Sequence, residues 1–254
     1  MPSIQCAPPL SREEYSYMAM VAEEAERFDE MGRIIEEMVR RTSSLGEFTA
    51  DERNLIAIAH KKMVDARRGS WRKVVSVESQ EGKLSSGVNP KIVKSFRKRI
   101  EAELDEICGA IISLLGSHLI PSASTSEAKV FFLKMKGDYH RYLAEFKVGD
   151  GRKHAALRSI AAYKEAEDIA LVHLAPTNPA RLGLALNFSV FCFEILNLSE
   201  NARQIAQQAF KEAIGDLDKL ARDSYSHARL QLQSLQDNLT LWNHDIQDEA
   251  VKGC

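Results

Sequence analysis

Proline placement constrains this chain most. A ring that fixes φ and removes a backbone donor is excluded from helix interiors. All seven prolines, Pro2, Pro8, Pro9, Pro90, Pro121, Pro176 and Pro179, fall in the N-terminal arm or between stretches of helical periodicity. No stretch alternates strictly between apolar and polar residues, so strands have no signal. The fold class expected is therefore all-α.

The start signals give nine helices. Ser11 with Glu14, and Thr49 with Glu52, have the spacing of capping boxes. They open a first helix through Met18, Val21 and Ala25 and a third from Leu55 to Val77. A second carries Met31, Ile34, Ile35 and Met38 after Phe28. The segment from Glu81 to Pro90 breaks the pattern, and a fourth helix from about Lys91 to Leu119 is expected to end before Pro121. Ser124 or Ser126 can cap the fifth, which includes Val130 to Phe146, and a sixth spans about Gly151 to His173. Asn178 is placed to cap a seventh with Pro179 at its first position. Ser199 opens an eighth, and a ninth runs from Asp223 to Asp245, leaving a short mobile tail. Helix lengths are unequal and no period near the ~34 residues of a tetratricopeptide array recurs, so the array is non-repeating. A single domain with an ordered core of about 11–245 is expected.

With 254 residues, of which 44% are hydrophobic, the chain can bury a sizeable core, and its formal net charge of −2 gives no global attraction to nucleic acid or anionic membrane. No apolar run is expected to cross a bilayer. Cys6, Cys108, Cys192 and Cys254 lack metal-ligand spacing and fit a reducing compartment. The N-terminus lacks the pattern of a secretory signal, and Pro2 stands where myristoylation needs glycine. The cytoplasm is the expected location, with the nucleus as a further one. Sequons at Asn187, Asn197 and Asn238 are then chance matches.

Within the fifth helix, Phe132, Met135, Tyr139, Leu143 and Phe146 define an apolar face, and Lys134, Asp138, Arg141 and Glu145 an ionic one. Arg141 and Tyr142 together offer a forked guanidinium and a phenol hydroxyl, donors that suit a phosphate dianion. Taken alone, this stretch reads first as a solvated charged face on an ordinary core helix, and the other helices decide. The third helix repeats the spacing with Lys61, Asp65, Arg68 and Arg72. In the seventh, Gly183, Asn187, Val190 and Glu194 form a seam on an otherwise apolar helix, which implies burial. In the ninth, Ser234, Asn238 and Leu241 share a face beside Trp242. Each asparagine supplies a donor and an acceptor and can hold the backbone of an extended peptide.

The basic cluster around Lys61 to Lys73 has nucleic-acid binding as its rival reading, but it lacks an aromatic platform beyond Trp71 and any reading motif. A phosphatase would also gather Lys, Arg and Tyr, yet no cysteine phosphate loop or His/Asp metal cluster is legible. No catalytic residue, metal or cofactor is expected.

The stretches RNLIAIAHKKMVDARRGSWR, VFFLKMKGDYHRYLAEF, PTNPARLGLALNFSVFCFEILN and DNLTLW, in that order, resemble the 14-3-3 family. The resemblance runs from about Ser11 to Asp245. It implies nine antiparallel helices that dimerise through the N-terminal helices into a cup, with an amphipathic groove in each protomer for phosphoserine or phosphothreonine segments of client proteins. It places Lys61, Arg68, Arg141 and Tyr142 in the phosphate pocket. It puts Asn187 and Asn238 on the peptide backbone, Lys134 and Glu194 at polar groove positions, and Leu186, Val190, Leu241 and Trp242 on the apolar or peptide-facing side. Val21, Ala25, Arg27, Glu30, Phe96, Arg99 and Glu103 match its dimer interface, where Arg27 with Glu103 and Glu30 with Arg99 are complementary across a two-fold axis. The partners implied are phosphorylated clients and a second copy, or a paralogue, of the chain, with neither nucleic acid nor membrane insertion. The chain departs from the family at Gln231 and Ser234, where large aliphatic residues are usual, so a thinner apolar groove wall is expected.

Overall fold

The structure, a computed structural model, describes residues 10–80, 89–217 and 222–252, with the side chains of 80, 222–227 and 244–252 left aside. Among the described residues every long regular element is a helix, and there are nine. They are α1 (Arg12–Glu24), α2 (Phe28–Thr42), α3 (Ala50–Gln80), α4 (Pro90–Ser122), α5 (Ser126–Phe146), α6 (Gly149–His173), α7 (Pro179–Glu194), α8 (Ser199–Ile214) and α9 (Arg222–Lys252). The chain divides into two compact units, Met1–Ala123 and Ser124–Cys254.

Both capping boxes form. Ser11 Oγ accepts from the Glu14 amide at 3.2 Å while Glu14 accepts from the Ser11 amide at 2.7 Å, and Thr49 and Glu52 repeat this at 3.2 and 2.7 Å. Asn178 caps α7, its Oδ1 accepting from Ala180 and Arg181, with Pro179 at the first helical position. The cap of α5 is Thr125, rather than Ser124 or Ser126; its Oγ1 accepts from the Ala128 amide at 3.3 Å.

Helix α4 does not stop before Pro121. A π turn at Leu115–Leu119 interrupts the α ladder, with the Ile120 amide donating to the Leu115 carbonyl five residues back, and the helix continues through Ile120–Ser122. The longer repeat shifts the hydrogen-bond register just ahead of the residue that cannot donate. By length and composition α4 is apolar enough to cross a bilayer, contrary to the sequence expectation. Ile100, Leu104, Ile111, Leu114, Leu115 and Leu119 lie in the interior of the first unit, and 33% of the apolar stretch is buried. Helix α9 runs on to Lys252, past the expected end at Asp245, since no Pro or Gly interrupts it before Gly253.

In the first unit, α2 supplies Met31, Ile35 and Met38 to a core shared with Tyr15 of α1, Phe48 and Ile56. In the second, α5 and α6 pack along most of their lengths. Their approach depends on Gly137: a Cβ there would lie 2.6 Å from the ring of Tyr163. Ser159 on α6 donates to the Gly137 carbonyl at 2.9 Å and fixes the register of the two helices. Tyr163 is fully buried and stacks on Phe188 of α7, with ring centroids 5.3 Å apart.

Residues 1–9, 81–88 and 218–221 and the terminal Gly253 and Cys254 lie outside the described residues, so the N-terminal arm, the break after the third helix and the tail's end do too. Cys108 and Cys192 are free and buried. Cys6 and Cys254 fall outside the described residues.

Candidate phosphopeptide site

Asp138 is the hub of the site in the second unit. Its Oδ1 accepts from the Tyr163 hydroxyl at 2.6 Å and from Asn187 Nδ2 at 2.8 Å, and its Oδ2 accepts from Lys134 Nζ at 3.1 Å. Three helices, α5, α6 and α7, thus meet on one carboxylate. Burial alone would raise the pKa of Asp138, but Lys134, Arg141 and the Tyr163 hydroxyl together bring it below the ordinary value. The carboxylate is therefore ionised and anchors the groups around it.

Arg141 stands one turn on. It is 7% exposed, its Nε donates to the Tyr163 hydroxyl at 3.4 Å, and its guanidinium carbon lies 4.7 Å from the centre of the Tyr142 ring. Its two Nη groups approach Asp138 and Glu145 only to 3.7 Å, longer than a hydrogen bond. The fork is aimed by its neighbours without its donors being used up. Burial opposes the charge, yet Tyr163, Tyr142 and Asp138 outweigh it and the pKa is raised further. Arg141 is a fixed cation at any pH the fold tolerates.

The ionic face of α5 is thus packed, and the solvated-face reading does not hold. Lys134, Asp138, Arg141 and Glu145 all have side chains at most 17% exposed. In the first unit the matching stripe forms the same in-helix bridge, with Asp65 accepting from Lys61 and, at 3.1 Å, from Arg68 Nη1. The spacing i, i+4, i+7 dictates this, since one carboxylate can face a cation a turn before it and another a turn after it. Here the lysine is open: the Lys61 side chain is 67% exposed and that of Arg68 13%.

The seam of α7 is half-buried at Gly183, Leu186, Asn187 and Val190 and exposed at Glu194, so the expected burial is only partial. Ser234 and Asn238 of α9 are likewise half-buried, and Leu241 is exposed. The Ser234 hydroxyl donates to the Leu230 carbonyl at 3.1 Å. Trp242 is turned inward: it is 4% exposed and its ring stacks on Phe193 at 5.0 Å. Among the described residues no cluster of His, Cys, Asp and Glu could hold a metal ion.

Tyr163, Gly137 and Ser159 escaped sequence reasoning. Their signal is the run of small residues Ala155, Ser159, Ala162, Ala166 and Ala170 at helical spacing on α6, a flat face that admits close packing. A tyrosine within such a face has space only where its partner helix offers a glycine.

Of the interface residues named from the sequence, Val21 is 52% and Phe96 45% exposed, and Ala25, Arg27, Arg99 and Glu103 are exposed as well. Arg27 pairs with Glu30 of its own chain, Arg99 lies over the Phe96 ring at 4.7 Å, and Glu103 is 3.6 Å from Arg67.

The model of the 14-3-3 protein family matches residues 18–243. The chain is 53% identical over 240 residues to the Arabidopsis thaliana 14-3-3-like protein G-BOX factor 14 kappa, covering 94% of this chain and 97% of that protein. It is 55% identical over 240 residues to 14-3-3-like protein GF14 nu of the same plant, covering 94% and 90%. It is also 55% identical over 240 residues to 14-3-3-like protein A of Glycine max, covering 94% and 93%. The chain belongs to the 14-3-3 family, dimeric adaptors without catalytic activity that bind phosphorylated client proteins.

Proposed function

We propose that this protein performs the family's function through Arg141 and Tyr142, set by Asp138 and Tyr163, with Lys61 and Arg68 as the further cationic contacts to the phosphate of a phosphoserine or phosphothreonine segment. The observation that carries this reading is Arg141: a nearly buried guanidinium held by Nε, with both Nη groups short of any hydrogen-bond partner. A phosphate brings about −1.5 to −2 charges and three acceptor oxygens, which a carboxylate does not match. Asn187 and Asn238 are proposed to hold the client backbone, with Lys134, Glu194, Leu186, Val190, Ser234, Leu241 and Trp242 along the groove. Asn187 has its Nδ2 on Asp138, so its carbonyl is the group available to a peptide N–H.

Members of the family are mainly cytoplasmic. We propose the nucleus as a further location of this protein.

Calorimetry with a phosphoserine peptide and its unphosphorylated twin tests the assignment. Arg141→Ala should cost on the order of 2–5 kcal/mol of affinity, and Lys61→Glu at least as much, because repulsion adds to the lost contact. Wild-type affinity in both folded variants would move the pocket elsewhere.

A further inference from the structure

Gln231 is out of place on a wall said to be apolar. It lies half-buried on α9, one face with Ser234 and Asn238 at i+3 and i+7. Its Oε1 is buried without a hydrogen-bond partner. Buried amide oxygens are nearly always paired, so an orphan calls for an explanation. Across from it stands Gly183 of α7. A Cβ at that glycine would lie 3.2 Å from Gln231 Nε2 and 4.0 Å from Lys134 Cδ, so the amide lies close against the α7 backbone in space that a side chain would take.

Gln231 is part of a larger set of uncommitted polar groups in this unit. Asn187 uses only its Nδ2, Ser234 only its proton, and Lys134 one hydrogen bond, to Asp138, beside the Phe131 ring at 5.8 Å. The side chain of Asn238 makes no hydrogen bond among the described residues. The orphan oxygen has no surface that a client could reach, so discrimination falls to the half-buried groups beside it: an apolar residue placed against this seam would strip water from the Gln231, Asn187, Ser234 and Asn238 side chains, whereas a hydroxyl or amide would replace those hydrogen bonds. Sites built to hydrogen-bond a ligand discriminate against the isostere that lacks the group more sharply than apolar pockets discriminate by size.

We propose that Gln231 makes this protein select a client whose residue beside the phosphoresidue carries a hydrogen-bonding side chain in place of an apolar one. The inference rests on the phosphate reading given above and specifies its client class. Gly183 precedes Asn187 by one helical turn, about 5.4 Å along α7. An extended peptide advances roughly 3.3 Å per residue. The selected position is therefore one or two residues from the phosphoserine.

Fluorescence polarisation with labelled phosphoserine peptides tests this. Each of the two positions on either side of the phosphoserine is varied between isosteres, Thr against Val and Asn against Leu. The wild type should bind the polar member three- to ten-fold tighter at one of these positions. Gln231→Leu and the equally long Gln231→Met, checked for folding by circular dichroism, should abolish or invert that ratio while the unphosphorylated peptides stay unbound. A wild-type ratio of one at all four positions, or a ratio unmoved in both variants, overturns the proposal and leaves the phosphate reading standing. Equal binding of phosphorylated and unphosphorylated peptides by the wild type overturns that reading, and the inference with it.

Discussion

Tyr163 is a residue whose single hydroxyl serves two masters: it donates to Asp138 and accepts from Arg141. Tyr163→Phe keeps the ring against Gly137 and Phe188 and deletes only that link. We expect phosphopeptide affinity to fall about three- to ten-fold in calorimetry, with a loss of about 1–2 kcal/mol in folding stability. Unchanged phosphopeptide affinity in a folded but less stable variant would make its role purely structural. His60 gives the residue scale a pH dependence. Burial pushes its pKa down to about 4, and although Nδ1 lies 2.8 Å from the Ile56 carbonyl, Nε2 is buried without a partner. The folded state thus refuses a proton that the unfolded chain accepts below about 6.5, its ordinary value. The stability contributed by neutral His60 is present above about pH 6.5 and is lost as pH falls towards 4, by about 3 kcal/mol over the window. Urea unfolding between pH 7 and 4 should show this slope, and His60→Gln should flatten it by about one proton.

At the scale of elements, the sequence makes helix starts legible and helix ends much less so. Capping boxes are local chemistry, and those at Ser11 and Thr49, together with Asn178, form as their spacing predicts. The passage of α4 through Pro121 was not legible, because a π turn is a backbone adjustment with no residue signature of its own. The ionic stripes were visible by periodicity, and the i, i+4, i+7 bridges follow from it. The burial of the α5 stripe was not, since it depends on α6, whose tyrosine and small residues give no hint of a phosphate. Gly137→Ala tests how strictly α5 and α6 are locked. A methyl group 2.6 Å from the Tyr163 ring must displace backbone or ring, and we expect a cost of about 1–3 kcal/mol of stability. Phosphate affinity should fall with it even though Gly137 touches no ligand.

For the whole molecule, the family forms dimers, and the residues named for the interface all lie in the first unit. Exposed Val21 and Phe96 offer apolar surface, and the charges around them are engaged within their own chain. This makes a charge swap informative. Arg27→Glu with Glu30→Lys preserves the in-chain pair with its polarity reversed, so folding should survive. It would place like charges opposite Glu103 and Arg99 of a second copy, and sedimentation at micromolar concentration should show a dimer for the wild type and a shift towards monomer for the variant. A variant as dimeric as the wild type would remove these residues from the interface. Gly137 carries a lesson of another kind. The arginine that would receive the phosphate owes its aim to a tyrosine, and the tyrosine owes its seat to a missing carbon atom. A map of every tolerated substitution would mark Gly137 among the most restricted positions of this unit, while a map of ligand contacts would leave it blank. A search for the site by either map alone would draw a different boundary around it.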